Sequence, residues 1–392
     1  MTTTRMTTTR MTNAAPGAAG RRLRIAVLAH YRHPIAEPYQ GGLEMHTALL
    51  ADELTARGHD VTLLAKGGSR TRARLRPVLP AGFPYGCLPD ALGADRSESI
   101  ADAALLESLS DIAGEVDVIL NNSLSTVPYL HLTGRPVLTV LHTPATLERV
   151  VEVVAATDWQ PGRRHVWAGV SQTTSRDWAR WLPDVRWIPN GIDLPHWAPP
   201  AGGRPQRRHA VWSGRITPEK GLALAVEAAR LGGWRLSISG PVADPDYFAR
   251  EIAPRLDDRI RYVGHLRHSE LPSFLQSGAV YVFTPLWPEP FGLALVEAMA
   301  CGATAAALPQ GAVEEIVGAD GGVIAADSSA EKLAVAMEAA ARLPRDRVVS
   351  SVAGFSKTVM ISTYERVLAE MATWEEDRVG DFVAADHDRS HP

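Results

Sequence analysis

Two glutamates with seven residues between them are the most informative chemical groups in the chain. Glu289 lies just before the turn Phe291-Gly292-Leu293, and Glu297 lies about one turn into the helix that the sequence predicts next. Free N–H groups at a helix start suit a phosphate, and Gly292 lets a ligand approach the backbone closely. Because a carboxylate has two acceptor oxygens, Glu297 suits the two hydroxyls of a ribose. The spacing fits an extended ligand with polyol, phosphate and ribose parts, although two solvated glutamates also fit it.

A pair of cations around one short loop is the second candidate group. Arg215 and Lys220 lie in the segment Gly214–Gly221, which follows a predicted strand and places Pro218 in the first turn of a predicted helix. Two cations at one loop can neutralise a diphosphate without a metal. Lys220 is one of only four lysines among 40 lysines and arginines, and an ammonium does not replace a guanidinium. A solvated pair at a helix start remains the alternative.

Strands and helices alternate in the part of the chain before these groups. Short apolar runs predict strands over residues 23–29, 60–65, 116–120, 136–141, 166–170 and 185–188. Helical spacing of apolar residues predicts helices over 42–57, 98–112 and 145–156. Continuous apolar strands that alternate with helices predict a doubly wound α/β layer with a parallel sheet.

The same alternation restarts after a break at residues 194–208, which contain four prolines and two glycines. Strands are predicted over 210–212, 235–239, 260–263 and 280–284, and helices over 218–230, 247–256, 269–276 and 291–300. Two such halves form a cleft toward which the carboxyl ends of both sets of strands point. Open α/β sheets bind ligands at these ends.

Composition excludes several classes of protein. A length of 392 residues with 45% hydrophobic residues suits two domains, and no apolar run reaches the ~18 residues of a bilayer span. A net charge of −4 gives no reason to expect a nucleic-acid partner. Cys87 and Cys301 are too few and too far apart for a disulfide scaffold, so a cytoplasmic location is predicted.

Two metal-like patterns have simpler explanations. Asp244 and Asp246 are spaced as in Asp-x-Asp metal motifs, but they lie where a helix start takes acidic caps. His265 and His268 have no obvious third ligand. Neither a Gly-x-Gly-x-x-Gly pattern after the first strand nor a Walker loop is present. No metal and no cofactor is therefore predicted.

Five segments of the chain together resemble the retaining nucleotide-sugar glycosyltransferases of the family 4 type, which have the GT-B architecture. They are QGGLEMHTALLADELTARGHDV (40–61), TVLHTP (139–144), IPNGID (188–193), GRITPEKG (214–221) and EPFGLALVEAMACG (289–302). The last is the family's acidic pair and the most specific of the five. The resemblance spans about residues 23–372 and implies two Rossmann-like domains that face a central cleft.

The resemblance also divides the chain. It implies an acceptor-side domain over 21–190, a linker over 191–208 and a donor domain over 209–355, followed by a helix over 356–374 that crosses back onto the first domain. The repetitive leader over 1–20 and the acidic tail over 375–392 are predicted to be disordered.

Site residues follow from the matched motifs. The resemblance implies that Glu297 holds the ribose, while Glu289 and the backbone amides of 291–293 meet the donor sugar and its phosphates. Arg215 and Lys220 would bind the diphosphate. The remaining implied contacts come from the first domain: His142 to the transferred sugar, and the glycines Gly41 and Gly42 to the phosphates.

The implied reaction is the transfer of a hexosyl group with retention, without a metal, from a nucleotide sugar that is most often UDP-linked in this family. The departing phosphate oxygen would take the acceptor's proton, and domain closure would exclude water. The acceptor is expected to be a small molecule, a glycan or a lipid-linked molecule. A non-catalytic nucleotide-sugar-binding subunit, an epimerase and a phosphorylase on the same architecture are the alternatives.

A segment rich in arginine lies in the expected acceptor-side domain. Ser69–Arg76 is predicted to be a loop and carries arginines at positions 70, 72, 74 and 76. These side chains, together with Arg32 and Arg163, would suit an anionic acceptor or a peripheral contact with membrane headgroups. A solvated loop in an arginine-rich protein is the other interpretation.

Overall fold

The structure is a computed structural model that describes residues 21–85, 93–112, 114–199 and 206–374. The predicted leader over 1–20 and tail over 375–392 lie outside the described residues, as do residues 200–205 of the predicted linker. None of the described helices combines the length and the apolarity that a membrane crossing requires.

The first domain is built on a parallel sheet of seven strands. They are β1 (Arg24–Leu28), β2 (Asp60–Lys66), β3 (Arg74–Leu79), β4 (Val118–Asn121), β5 (Val137–Leu141), β6 (His165–Gly169) and β7 (Arg186–Trp187). The helices among them are α1 (Gly42–Ala56), α2 (Gly93–Ile112), α3 (Val127–His131), α4 (Glu148–Ala155) and α5 (Gln172–Trp178). Every residue of β4, β5 and β6 is buried, as a sheet covered on both faces requires.

The second domain repeats this plan with six parallel strands. They are β8 (Gln206–Ser213), β9 (Arg235–Ser239), β10 (Ile260–Tyr262), β11 (Gly278–Phe283), β12 (Thr304–Ala307) and β13 (Gly322–Ile324). The α-helices in this part of the chain are α6 (Leu194–Trp197), α7 (Leu222–Leu231), α8 (Pro245–Tyr247), α9 (Leu271–Ser277), α10 (Leu293–Ala300), α11 (Val313–Val317), α12 (Ala330–Ala340), α13 (Arg345–Ser351) and finally α14 (Lys357–Ala372).

Both sheets reverse their strand order at one point. The first runs β3-β2-β1-β4-β5-β6-β7, and the second runs β10-β9-β8-β11-β12-β13. The order therefore switches between β1 and β4 in one sheet and between β8 and β11 in the other. Ligands of doubly wound sheets bind outside the carboxyl ends of the strands at such switch points. The two predicted α/β layers are confirmed.

The last helix crosses back onto the first domain, as predicted. The chain leaves that domain near Ile192 and returns near Ser356, and these two residues form a parallel β-bridge. Farther along α14, Glu365 accepts a hydrogen bond from Arg57 Nη1 at 2.7 Å and lies 3.0 Å from His59 Nε2. The buried side of α14 thus packs on α1 and β4 of the first domain, within an apolar cluster that also includes residues of α10.

Two local predictions are wrong. The Ser69–Arg76 segment is not all loop, because its last three residues begin the edge strand β3. The helix predicted over 218–230 is broken: a single turn over Pro218–Lys220 ends at Gly221, and α7 starts only at Leu222. Gly221 has φ 65°, and a Cβ there would lie 2.0 Å from the carbonyl oxygen of Thr284. Only glycine satisfies both demands.

Candidate active site

An ion pair joins the two loops that carry the predicted cations and the first glutamate. Lys220 Nζ donates to Glu289 Oε2 at 2.7 Å, and it also lies 5.2 Å from the centre of the Trp287 ring. The side chains of Lys220 and Glu289 are 20% and 15% exposed, so solvent screens this pair less than one on the open surface. Lys220 therefore has its charge compensated by the protein.

A buried threonine holds these two loops together. Thr284 Oγ1, at the carboxyl end of β11, accepts a hydrogen bond from Trp212 Nε1 at 3.1 Å and donates to the carbonyl oxygen of Lys220 at 3.0 Å. Two residues later, the N–H of Leu286 donates to the carbonyl oxygen of Glu219 at 2.8 Å. The turn with Lys220 is thus fixed against the strand that leads to Glu289.

The start of α10 lies directly after Glu289. Gly292 is its N-cap residue with φ 93°, a left-handed conformation that favours glycine. No side chain caps this helix, so the N–H groups of its first turn have no partner of that kind. The N–H of Ala312 donates to the carbonyl oxygen of Glu289 at 3.0 Å and fixes the approach to the turn. The arrangement presents N–H groups next to the Lys220–Glu289 pair.

Glu297 lies in a different environment from Glu289. It is buried at 7% exposure, and this burial raises the pKa of its carboxyl group to about 7. The side chain lines a cavity of about 290 Å³ together with Leu293 from its own helix, and the remaining wall comes mainly from α1 and from the segment 191–197. A buried carboxylate beside a cavity of this size can accept hydrogen bonds from a ligand that fills it.

Arg215 is the least constrained of the predicted residues. It follows the carboxyl end of β8, its side chain is 47% exposed, and Nη2 lies 3.9 Å from Glu219 Oε1. An exposed pair at that distance contributes little to stability. Arg215 can therefore turn toward a ligand at small cost.

The first domain contributes a histidine from the loop after β5. His142 Nε2 lies 3.2 Å from Asn122 Oδ1 at the end of β4. Burial is the main cause that lowers the pKa of His142 well below its usual 6.5, and nearby His46 adds to it. Helix α5 fixes the rest of this loop, because Trp178 Nε1 donates to the carbonyl oxygen of Thr143 at 2.7 Å.

Contacts between the domains lie close to both halves of the site. A Cβ at Gly42, the first residue of α1, would lie 3.0 Å from Leu293 Cδ1, so Gly42 packs directly on the start of α10. A second contact between the domains lies next to Glu289, where Thr174 Oγ1 on α5 donates to the carbonyl oxygen of Pro290 at 3.1 Å.

The N–H groups of Gln172 and Thr173 also cross between the domains, where they donate to the carboxylate of Glu315 at 3.0 and 3.2 Å. A second cavity, of about 450 Å³, lies beside this contact between the face of α5 and Pro288-Glu289.

The predicted site residues thus come from the carboxyl ends of both sheets. The structure pairs Lys220 with Glu289 and places Glu297 on the side of α10 that faces α1. His46, Asn122 and Thr174 are further polar residues beside the site that no sequence argument singled out. His46 lies within the segment 40–61 that carries the resemblance, and Asn122 directly follows a buried strand, a position that points to a ligand cleft.

Residues of the two metal-like sequence patterns have structural roles. Asp244 Oδ1 accepts a hydrogen bond from the N–H of Tyr247 at 2.8 Å and caps the short helix there. The ring of His268 stacks on that of His196 at 4.7 Å. Over the described ranges, no three His, Cys, Asp or Glu side chains are grouped as a metal site would need.

Comparison with known proteins covers most of the chain. Two family models match it: Glycosyltransferase Family 4 over residues 40–195 and Glycosyl transferases group 1 over residues 200–351. A curated relative, the MMP alpha-(1->4)-mannosyltransferase of Mycolicibacterium hassiacum, is 27% identical over 359 residues, which covers 76% of this chain and 84% of the relative.

Solved structures share the architecture. The sucrose-phosphate synthase of Thermosynechococcus elongatus aligns with a TM-score of 0.70 at 19% identity and covers 89% of this chain and 99% of its own. HepE of Anabaena, in complex with UDP-glucose, aligns with a TM-score of 0.67 at 17% identity over 89% of this chain and all of its own. These likenesses confirm the GT-B architecture.

Proposed function

The chain belongs to the family 4 glycosyltransferases, and on this premise we propose that it transfers a hexosyl group with retention, without a metal, from a nucleoside diphosphate sugar. The single observation that carries the proposal is the arrangement around α10. Glu289 and Glu297 flank the start of this helix, and Lys220 contacts the first of them at 2.7 Å. These residues would provide hydrogen-bond and charge partners for the three consecutive parts of the donor: the sugar, the diphosphate and the ribose.

The donor would lie along the second domain. Glu297 accepts hydrogen bonds from the ribose hydroxyls, and the N–H groups at 291–293 meet the phosphates. Arg215 turns toward the diphosphate, which also competes with Glu289 for the ammonium of Lys220. Glu289 is then released to accept hydrogen bonds from the hydroxyls of the donor sugar.

The reaction needs no protein base in this scheme. The bond between the anomeric carbon and the phosphate oxygen breaks, and the acceptor oxygen bonds to the same face of that carbon. The departing phosphate oxygen takes the acceptor's proton. Lys220, Arg215 and the first N–H groups of α10 stabilise the charge that grows on the leaving group.

The first domain would supply the sugar contact and the acceptor. His142 lies in the loop after β5. Gly42 packs on the start of α10, where the phosphates are expected, and Gly41 directly precedes it as the N-cap of α1. The acceptor is a small molecule, a glycan or a lipid-linked molecule that enters from this side. A cytoplasmic location and the absence of a nucleic-acid partner complete the proposal.

Donor hydrolysis and transfer test the proposal. Because one solved relative holds UDP-glucose and a curated relative is named a mannosyltransferase, the panel should contain UDP-glucose, GDP-glucose and GDP-mannose. We expect slow release of the sugar from one of them, in the anomeric configuration of the donor by NMR, and the same rate with EDTA. Inverted product or loss of activity with EDTA would contradict the corresponding part of the proposal.

A further inference from the structure

The hydrogen-bond partner of His142 determines where its proton lies. His142 Nε2 is 3.2 Å from Asn122 Oδ1, and Asn122 is fully buried. An amide oxygen only accepts hydrogen bonds, so this contact requires a proton on Nε2. A neutral imidazole with that proton presents Nδ1 as an acceptor.

The orientation of the Asn122 amide is fixed by a threonine on α1. Thr47 Oγ1 donates its only proton to the carbonyl oxygen of Leu43 at 2.8 Å. It can therefore only accept from Asn122, whose Nδ2 lies 3.2 Å away. With Nδ2 directed at Thr47, Oδ1 is the atom of the amide that remains for His142.

His46, one residue before Thr47, supports the same arrangement. Its Nδ1 lies 3.4 Å from Asn122 Nδ2, and its ring meets the ring of His142 edge-on at 4.8 Å. Burial lowers the pKa of His46 to about 3, so the ring is neutral and Nδ1 can accept from the amide. The ring of His46 lies 5.9 Å from the ring of Tyr364 on α14. Within the described chain, neither His46 Nε2 nor the Tyr364 hydroxyl has a hydrogen-bond partner, and both atoms are buried.

We propose that Asn122, Thr47 and His46 are positioning residues that hold His142 in the Nε2–H tautomer, so that Nδ1 accepts a hydrogen bond from a hydroxyl of the transferred sugar. The sugar contact rests on the proposed function. The tautomer is a property of the protein without ligand and can be measured separately. A histidine held this way cannot turn its donor toward the sugar without breaking the contact with Asn122.

The direct test is long-range ¹H–¹⁵N correlation NMR of the ligand-free protein labelled with ¹⁵N-histidine. The signals of His142 are identified by their loss in His142→Gln. We expect the Nε2–H pattern between pH 6 and 8, and a mixture of tautomers or titration near the ordinary value in Asn122→Leu. An Nδ1–H pattern, or titration of wild-type His142 near pH 6.5, would overturn the proposal.

Two threonines on α1 provide a matched pair of variants. Thr47 and Thr55 each donate to a carbonyl oxygen four residues earlier, at 2.8 and 2.7 Å, but only Thr47 also accepts from Asn122. We expect Thr47→Val to populate the second tautomer of His142 and to lower kcat about fivefold at unchanged donor KM, the effect of one buried hydrogen bond. Thr55→Val should match wild type.

Equal spectra of His142 in wild type, Thr47→Val and Thr55→Val would contradict the role of Thr47. The failure of the proposed function is a separate result. A protein with the Nε2–H pattern that transfers no sugar from any donor in the panel would contradict that function and leave the tautomer assignment intact.

Discussion

The two halves of the cleft use different kinds of polar chemistry. The half from the second domain is ionic, with Lys220 and Glu289 in contact at 2.7 Å. The half from the first domain is neutral, because His142 and His46 both have lowered pKa values and meet through the amide of Asn122. The comparison indicates that the half from the second domain binds charged groups, whereas the half from the first domain fixes which atoms donate and which accept hydrogen bonds.

The ionic half is compensated before any donor binds. Glu289 neutralises Lys220, and Glu219 lies near Arg215. A diphosphate must therefore exchange existing ion pairs for new ones, whereas the neutral half requires no such exchange. The predictions below test this difference, from the largest expected effect to the smallest.

Removal of the ribose contact should have the largest effect. We expect Glu297→Ala to lower kcat/KM for transfer by roughly 100- to 1,000-fold, because two hydrogen bonds to a charged acceptor are lost. Melting temperature and donor kinetics should be measured together. Glu227→Ala, on the exposed side of α7, is the matched control and should behave as wild type. Near-normal turnover of Glu297→Ala would remove the ribose assignment.

Variants of two lysines test the charged half of the site. Lys220→Met should lower transfer about 100-fold, since the charge on the leaving group loses one stabilising cation. Lys332→Met is the control and should keep the activity and the melting temperature of wild type, because Lys332 is exposed on α12 and lines neither cavity. Transfer that falls equally in Lys220→Met and Lys332→Met, or in neither, would contradict the assignment of the charged half.

The pH dependence of donor affinity should come from the second domain alone. The pKa of Glu297 is about 7, so its charged form, which can accept from both ribose hydroxyls, is half populated at pH 7, predominates at pH 8 and is largely lost at pH 6. We expect the Kd of the nucleotide sugar to rise about tenfold from pH 8 to pH 6. Calorimetry on Glu297→Gln should show no such change; an equal slope there would assign the effect to another group.

The arginine segment should give the smallest effect. Arg74 Nη2 contacts Asp60 at 2.9 Å and Arg76 pairs with Asp111, whereas the side chains of Arg70 and Arg72 are exposed. If this segment meets an anionic acceptor, Arg70→Gln/Arg72→Gln should raise acceptor KM or weaken binding to phosphatidylglycerol vesicles a few-fold. Arg74→Gln/Arg76→Gln is the control. No difference between the two double variants would favour a solvated segment.

The sequence predicts the donor half of the site better than the acceptor half. Glu289, Gly292 and Glu297 belong to one strand–turn–helix unit whose geometry follows from local spacing. The contact of Lys220 with Glu289 joins residues 69 positions apart, and no local pattern specifies it. The network of His142, Asn122 and His46 likewise depends on how α1 packs against the ends of β4 and β5.

Edge and short elements explain the errors in the fold prediction. Strand β3 contains two arginines and Pro77, which argue against a central strand, but an edge strand tolerates them. Helix α5 is absent from the predicted helices because it has only seven residues, too few to show a helical period. The break at Gly221 follows from its contact with the carbonyl oxygen of Thr284, which only the tertiary structure reveals.

Thermal-shift measurement with nucleotides tests the central claim most directly. UDP, GDP, ADP and TDP should each be added to wild type, Glu297→Ala, Lys220→Met and His142→Gln. At about 100 times Kd, binding stabilises by roughly 2.7 kcal/mol, which is several degrees for domains of this size. We predict such a shift for one nucleotide in wild type and His142→Gln, and its loss in Glu297→Ala and Lys220→Met. If none of the four nucleotides raises the melting temperature of wild type, or if the shift is undiminished in Glu297→Ala, the proposed donor site is wrong.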